Sequence, residues 1–144
     1  MPIYANFLFN RWLTPVFEYR YHDDEECQAY IDRHFPGRYA DAFRRLQVGA
    51  AKADFWRILV LLQDGGIYLD IDSNFAARPE DAISPDEEAV FIAMKDGEVT
   101  NYFMASRPGH PALKLIADRI AQNIEEGTLV SVYDMTGPTV VHAV

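Results

Sequence analysis

The chain has one cysteine and a deficit of basic residues, and both features exclude common classes of site. Cys27 is the only cysteine in 144 residues, so neither an intramolecular disulfide nor a cysteine-based zinc site can form. Four acidic residues precede it and disfavour a thiolate, so we expect a packed helix residue rather than a nucleophile. Lysine and arginine number 13 against 22 acidic residues, a formal net charge of −9. Nucleic acid is therefore not an expected partner.

Long hydrophobic segments are also missing. The apolar run at residues 58–62 is far too short to cross a bilayer. The first residues lack the basic region and apolar stretch of a signal peptide. We therefore expect a cytoplasmic protein, or one peripheral to a membrane. Without a repeat or a linker, residues 1–144 are predicted to form a single domain.

Helical and strand patterns alternate along the chain and predict an α/β fold. Asp23 or Asp24 is a candidate N-cap, Gly65-Gly66 ends the strongest helical pattern, and Pro111 suits a first helical turn. The predicted helices cover about residues 24–35, 39–46, 46–64 and 111–124, and the predicted strands cover residues 17–21, 67–72, 89–94 and 101–106.

Asp70 and Asp72 stand at the end of the predicted 67–72 strand. A strand would place both carboxylates on one side, roughly 7 Å apart, at the edge where open α/β sheets bind ligands. One could ligate Mg²⁺ or Mn²⁺ while the other binds the cation through water or accepts from a sugar hydroxyl. Such a cation would neutralise a diphosphate that this acidic protein otherwise repels. An acid-x-acid pair is also common on solvated strands, and the pair alone leaves both interpretations open.

Asp54 and Arg57 lie three residues apart on the predicted helix that precedes this strand, so they share a face. They could form an ordinary surface ion pair that contributes little to stability. Because the helix is mostly apolar, they could also be partly buried, with the arginine donating to a phosphate or sugar oxygen. The residues alone leave these two interpretations nearly even.

The run from Ala53 to Asp72, ADFWRILVLLQDGGIYLDID, resembles the signature of glycosyltransferases with a DXD-containing sugar-binding region. In that signature a helical A-D-x-x-R precedes G-G-x-Y-x-D-x-D. Weaker similarities are found at residues 17–24, at residues 101–111 and at Thr136-Gly137-Pro138. The strand that usually begins such proteins is not recognisable here, and family members continue beyond T-G-P. The resemblance therefore implies a domain trimmed at one or both ends.

The resemblance implies a GT-A-like, Rossmann-like domain that binds a nucleotide sugar. The implied reaction moves a hexose from a nucleotide diphosphate sugar to a hydroxyl of a sugar or lipid-linked acceptor, with retention of configuration and with Mn²⁺ or Mg²⁺ as cofactor. Asp72 would ligate the metal directly, and Asp70 would contact the ribose or the donor sugar and reach the metal through water. Asp54 and Arg57 would hold the donor sugar, Arg57 would also stabilise the leaving diphosphate, and Asn101 would lie on the acceptor side.

Two alternatives remain. The chain could be a non-catalytic module that binds a nucleotide sugar without turning it over. It could also be a phosphotransferase with Asp70 as nucleophile, since D-x-D marks aspartate-based phosphatases as well. Those enzymes place the motif after their first strand and follow it with Thr or Val. Here Ser73-Asn74 follows, so we rank the phosphotransferase below the other two.

Overall fold

The computed structural model describes residues 2–128 and 130–144. Helices pack against a small sheet, and the α/β class is confirmed. In chain order the elements are α1 (Ile3–Leu13), α2 (Asp24–His34), α3 (Arg38–Arg45), α4 (Gly49–Asp64), β1 (Gly66–Leu69), α5 (Pro79–Ala82), β2 (Ala89–Ala93), β3 (Val99–Ser106), α6 (Pro111–Glu126), α7 (Val132–Met135) and α8 (Pro138–His142).

The sheet formed by the described residues has three antiparallel strands in the order β1-β3-β2. Tyr68 pairs with Met104, which pairs in turn with Phe91, and this face packs against the hydrophobic core. Further along, Ile92 pairs with Thr100, so residues 101–103 of β3 have no partner on β2. Such a bulge re-aims the side chains that it contains.

Two 16-residue helices, α4 and α6, form the centre of the core. The apolar side chains on their inner faces are almost fully buried with Met104, and each contributes roughly 1.5–3 kcal/mol by leaving water. They include Phe55, Ile58 and Leu59 from α4 and Leu113, Ile116 and Ile120 from α6. The predicted start of α6 at Pro111 is confirmed, and Gly127 ends it in the left-handed conformation.

The acidic run before Cys27 begins helix α2. Of the two predicted candidates, Asp23 is the N-cap. Its carboxylate accepts from the Glu26 amide at 2.9 Å, and the Glu26 carboxylate accepts from the Asp23 amide at 3.1 Å. Acidic residues in this first turn also suit the helix dipole. Cys27 is buried on α2, and burial raises the pKa of its thiol to about 11. The prediction of a packed helix residue is confirmed.

Gly65 and Gly66 connect α4 to β1 with positive φ angles of 67° and 101°. The two glycines differ in their surroundings. A Cβ on Gly65 would lie 2.8 Å from the Ser106 carbonyl oxygen and 2.6 Å from Pro108 Cδ, whereas a Cβ on Gly66 would meet nothing within 4 Å. Gly65 is thus required both for its conformation and for the close approach of β3.

The predicted strand at residues 67–72 is wrong for its last three residues. β1 ends at Leu69, and Asp70 makes one more sheet-like bond, from its amide to the Tyr102 carbonyl at 2.9 Å. Beyond that point side chains from other elements hold the backbone on both sides. The Asn101 carbonyl accepts from Arg57, and the Ile71 carbonyl accepts from Asn6. Asp70 and Asp72 therefore lie on a turn, where the Ser73 amide donates to the Asp70 carbonyl.

The predicted strand at residues 17–21 is also wrong, although its alternation is visible. Tyr19 and Tyr21 both pack edge-on against the Phe7 ring at 5.8 and 5.5 Å, while Glu18 and Arg20 form an exposed ion pair. No described strand pairs with this segment. A period-two pattern predicts which side chains share a face, but a strand also needs a partner for its backbone groups.

Helix α1 carries the aromatic residues that gave no secondary-structure prediction. It buries Asn6 and Asn10, while Trp12 on its outer side is 73% exposed. Neither α1 nor any other helix within residues 2–128 and 130–144 has the length and apolar character needed to cross a membrane.

Candidate functional site

Asp54 and Arg57 form a buried ion pair in the middle of α4. Only 8% of Asp54 and 5% of Arg57 is exposed, and Arg57 Nη2 lies 3.2 Å from Asp54 Oδ1. The alternative of a surface ion pair is thus wrong. A buried charge is costly unless its partners compensate the loss of water, so the neighbours of this pair determine what it can do.

The Arg57 guanidinium is held by protein groups on several sides. Its Nε donates to the Ala53 carbonyl at 3.2 Å, and Nη1 donates to the Asn101 carbonyl at 2.5 Å. Nη1 also lies 3.1 Å from Asp70 Oδ1, and the guanidinium carbon lies 4.5 Å from the centre of the Tyr68 ring. Arg57 therefore bridges α4, β1 and β3 and presents its charge to Asp70 from inside the protein. Its contact with a diphosphate stays a prediction.

The Asp54 carboxylate is completed by two neutral donors from distant parts of the chain. Asn101 Nδ2 donates to Oδ1 at 2.9 Å, and Thr136 Oγ1 donates to Oδ2 at 3.0 Å. Burial raises the pKa of Asp54 above its usual value, and the negative charge of Asp70 acts in the same direction; Arg57, Thr136 and Asn101 partly oppose them. The bulge in β3 explains how Asn101 can use both its side chain and its carbonyl in this cluster.

Thr136 is a member of the cluster to which the sequence gave no role. It is fully buried, yet it lies 82 residues from Asp54. No spacing rule connects positions so far apart. The only sequence signal for Thr136 is its place in Thr136-Gly137-Pro138, one of the weaker similarities to the family, to which no function is assigned.

Asp70 lies at the boundary between the buried cluster and the solvent. Its side chain is 30% exposed, and its Oδ1 atom accepts from the Tyr68 hydroxyl at 2.8 Å and faces Arg57. Burial raises the pKa of Tyr68, so the phenol stays protonated and acts as a donor. Both contacts use Oδ1. None of the described residues donates to Oδ2, so that atom is available to a ligand.

Asp72 lies on the turn after Asp70 and is exposed. Within the described residues no group of three or more His, Cys, Asp or Glu side chains is arranged to hold a metal. A pair of accessible carboxylates nevertheless fits Mg²⁺ or Mn²⁺, because such ions are commonly held by one or two carboxylates and completed by water and substrate phosphates. The donor set of Asp70 and Asp72 is of this kind.

A large cleft runs along this surface, with a volume of about 840 Å³. Asp70 and Asp72 line it, while Asp54, Arg57 and Asn101 lie behind its wall. The structure thus brings together all five residues predicted for the site, in two layers: two acidic residues at the cleft, and three residues buried behind them. The second layer fixes the first through the contact between Arg57 and Asp70.

Comparisons with known proteins identify relatives of this chain. Residues 4–90 match the family model described as a glycosyltransferase sugar-binding region containing a DXD motif. An uncharacterised glycosyltransferase of Acanthamoeba polyphaga mimivirus is 31% identical over 104 residues, which are 69% of this chain and 41% of the relative. The initiation-specific alpha-1,6-mannosyltransferase of Schizosaccharomyces pombe is 36% identical over 63 residues, which are 41% of this chain and 16% of that protein. The chain thus spans about two fifths or less of these relatives' lengths.

A solved structure shows the same fold. The PaToxG glycosyltransferase aligns with a TM-score of 0.65 and 20% sequence identity, over 80% of this chain and 42% of its own. At this identity the likeness concerns the fold alone. It confirms the prediction of a glycosyltransferase-like α/β domain.

Proposed function

The chain belongs to the family of glycosyltransferases whose sugar-binding region contains a DXD motif, and from this premise we propose that it transfers a hexose. The donor is a nucleotide diphosphate sugar, and the acceptor is a hydroxyl of a polysaccharide or glycolipid precursor. The observation that carries the proposal is the buried cluster of Asp54, Arg57 and Asn101 behind Asp70. A charged cluster in a core adds little stability compared with apolar packing, so a role in positioning Asp70 accounts for it better.

In this proposal Asp72 and Asp70 hold Mn²⁺ or Mg²⁺ together with the donor diphosphate. When bound, the cation supplies Lewis-acid stabilisation of the leaving diphosphate. Asp72 is exposed on the turn and acts as the direct ligand, while Asp70 turns its free Oδ2 toward the cation, through water, or toward the donor. The requirement for a metal follows from charge, because a protein of net charge −9 otherwise repels a diphosphate.

The buried residues act mainly on Asp70 and on the donor sugar. Arg57 orients Asp70 from behind, and its positive charge favours an anion that develops in the adjacent cleft. Asp54 holds the guanidinium in place, and Asn101 secures both partners through its amide and its carbonyl. We propose that the reaction retains the anomeric configuration, as the family resemblance implies. We also propose that the buried residues Asp54, Arg57 and Asn101 become exposed to the donor sugar when the donor binds.

A binding and turnover assay tests the proposal. The protein is incubated with Mn²⁺ and a panel of uridine and guanosine diphosphate sugars, and donor hydrolysis and thermal stabilisation are measured. A ligand that binds only the folded state raises its melting temperature. Asp72→Asn should abolish both signals, whereas Asp86→Asn, in an exposed loop away from the cleft, should change neither. Binding that persists in EDTA, or in Asp72→Asn, would contradict the metal site.

A second candidate is a module that binds the nucleotide sugar without transferring it. The observation that favours it is the engagement of Arg57 by protein acceptors, which leaves this cation without direct access to a diphosphate. The same assay separates the two candidates. Mn²⁺-dependent stabilisation without hydrolysis, for every donor and with simple sugar acceptors added, would support the module and refute the enzyme.

We propose a cytoplasmic location, or one at a membrane surface where lipid-linked acceptors lie. The exposed side chains of Tyr4 and Trp12 on α1 support the second alternative, because such aromatic residues favour the membrane interface. Flotation with phosphatidylcholine vesicles tests it. The protein should float with the vesicles, and Trp12→Ser should weaken the association; a protein that stays at the bottom in both forms would contradict it.

A further inference from the structure

Helix α1 buries two asparagine side chains against the turn that carries Asp72. Asn6 and Asn10 are one helical turn apart and therefore share a face. Asn6 is only 2% exposed and Asn10 is similarly buried. An asparagine amide in a protein interior is retained where it satisfies other polar groups, so its partners indicate its purpose.

The partners are backbone groups on either side of Asp72. Asn6 Nδ2 donates to the Ile71 carbonyl at 3.0 Å and to the Ser73 carbonyl at 2.6 Å. Asn10 Nδ2 donates to the same Ser73 carbonyl at 3.0 Å, and its Oδ1 accepts from the Phe75 amide at 3.0 Å. The residue before Asp72 and the residue after it are thus held by α1, 63 to 67 positions away in sequence.

Only the nitrogen of the Asn6 side-chain amide makes hydrogen bonds to the turn. Its Oδ1 atom is buried and accepts no hydrogen bond from residues 2–128 and 130–144. Both groups near its nitrogen are carbonyl oxygens, so the orientation of the amide is determined by its surroundings. Asn6 therefore places both of its N–H donors on the turn.

We infer that Asn6 and Asn10 are positioning residues that set the place of Asp72 for metal binding. This inference rests on the proposed function, since it concerns the same metal site. Neither asparagine touches the metal or the donor; they act through the Ile71 and Ser73 carbonyls. The Asp72 side chain is exposed and its direction depends on the backbone that bears it, so without these donors the turn samples conformations in which Asp70 and Asp72 no longer face one cation.

The test measures affinity for Mn²⁺ in the presence of inorganic pyrophosphate, which stands in for the donor diphosphate. Free Mn²⁺ is followed by electron paramagnetic resonance during titration of the full chain. Asn6→Asp is nearly isosteric, but it replaces the donor nitrogen with oxygen and places a negative charge against two carbonyls. Asn10→Ala removes both contacts of the second asparagine. We expect each variant to weaken Mn²⁺ binding by about tenfold to a hundredfold, the scale typical of partners that orient metal ligands.

A stability control separates positioning from general damage. Tyr39→Phe removes a partly buried hydrogen bond from the Tyr39 hydroxyl to Asp118 at 2.7 Å, and neither residue lines the cleft. A loss of global stability lowers the melting temperature but leaves the affinity of folded molecules unchanged. Tyr39→Phe should therefore melt earlier and bind Mn²⁺ normally, whereas Asn10→Ala should lose affinity even when measured well below its melting temperature.

The outcomes distinguish this inference from the proposed function. Unchanged Mn²⁺ affinity in both asparagine variants, with normal binding by the parent protein, would overturn the inference and leave the metal site intact. No Mn²⁺ binding by the parent protein would overturn the metal site and the inference with it. Amide hydrogen exchange adds an independent readout: the Phe75 amide should exchange faster in Asn10→Ala, and equal protection in both proteins would also count against the inference.

Discussion

Replacing Thr136 with valine tests the buried cluster without any knowledge of the substrate. Valine has nearly the same shape but lacks the hydroxyl that donates to Asp54 Oδ2 at 3.0 Å. Threonine 136 is fully buried, so water cannot replace the missing donor. A hydrogen bond to a charged group contributes roughly 1.5–3 kcal/mol. For a chain of this length, that loss lowers the melting temperature by about 4–10 °C.

The stability lost in Thr136→Val should depend on pH, and the direction of this dependence follows from the raised pKa of Asp54. Because the folded protein binds this proton more tightly than the unfolded chain, Asp54 favours folding below its ordinary pKa, and this contribution is lost as pH rises through the raised value. The Thr136 hydroxyl opposes that rise. Its removal raises the pKa further, so Thr136→Val should destabilise the protein most at neutral pH, where the carboxylate is charged, and less at acid pH.

The assay is thermal unfolding of the parent protein, Thr136→Val and Thr136→Ser between pH 4 and pH 8. Thr136→Ser keeps the hydroxyl and removes one methyl group, at a cost of about 1 kcal/mol that should not vary with pH. Thr136→Val should therefore melt below Thr136→Ser at pH 8, and the two should converge toward pH 4. Equal melting temperatures at pH 8, or a constant difference across the range, would refute the role of Thr136 as a donor to a charged Asp54.

Four further predictions concern the site and its supporting turn. Asp72→Asn should abolish Mn²⁺ binding in calorimetry while changing the free energy of unfolding by less than about 0.5 kcal/mol, as expected for an exposed residue; a large loss of stability would show that Asp72 is structural. Arg57→Lys keeps one charge but loses the planar set of donors, so turnover should fall about a hundredfold with donor binding little changed, and equal turnover would contradict a catalytic contribution. Gly65→Ala should destabilise the protein in urea by about 1–3 kcal/mol more than Gly66→Ala, because only Gly65 meets a neighbouring backbone; equal losses would contradict that packing. Gly66→Val should still impair folding through its φ of 101°, without selective loss of donor binding in the protein that folds.

Local patterns predicted helices α2, α3, α4 and α6 but not the end of β1. The glycine pair and the apolar run located α4 well because both act through neighbouring residues. The strand was extended to Asp72 because Ile67, Leu69 and Ile71 alternate with polar residues. The structure ends it at Leu69 and turns the chain at Asp70, where Asn6 holds the Ile71 carbonyl and Arg57 holds the Asn101 carbonyl. Those partners come from other elements, and alternation contains no information about them.

The site was predicted in part because its chemistry is concentrated in one continuous run. Asp54, Arg57, Asp70 and Asp72 all lie within 19 residues, and a family signature spans them. Thr136 received no role because its contact with Asp54 depends on tertiary packing. The sequence did not indicate Asn6 and Asn10. They stand one turn apart among aromatic residues, and their partners lie 63 to 67 positions away.

The long-range contacts of the site have a consequence for the order of events in folding. Asp54 meets Thr136 across 82 residues, Arg57 meets Asn101 across 44, and Asn6 meets Ser73 across 67. Contacts of high sequence separation must overcome the entropy of closing long loops, and chains rich in them fold slowly. The helix α4 can form early from local interactions, but Asp54 obtains its last donor only after α7 has docked. A folding intermediate would therefore contain the signature sequence and much of its helix, and yet have no functional site.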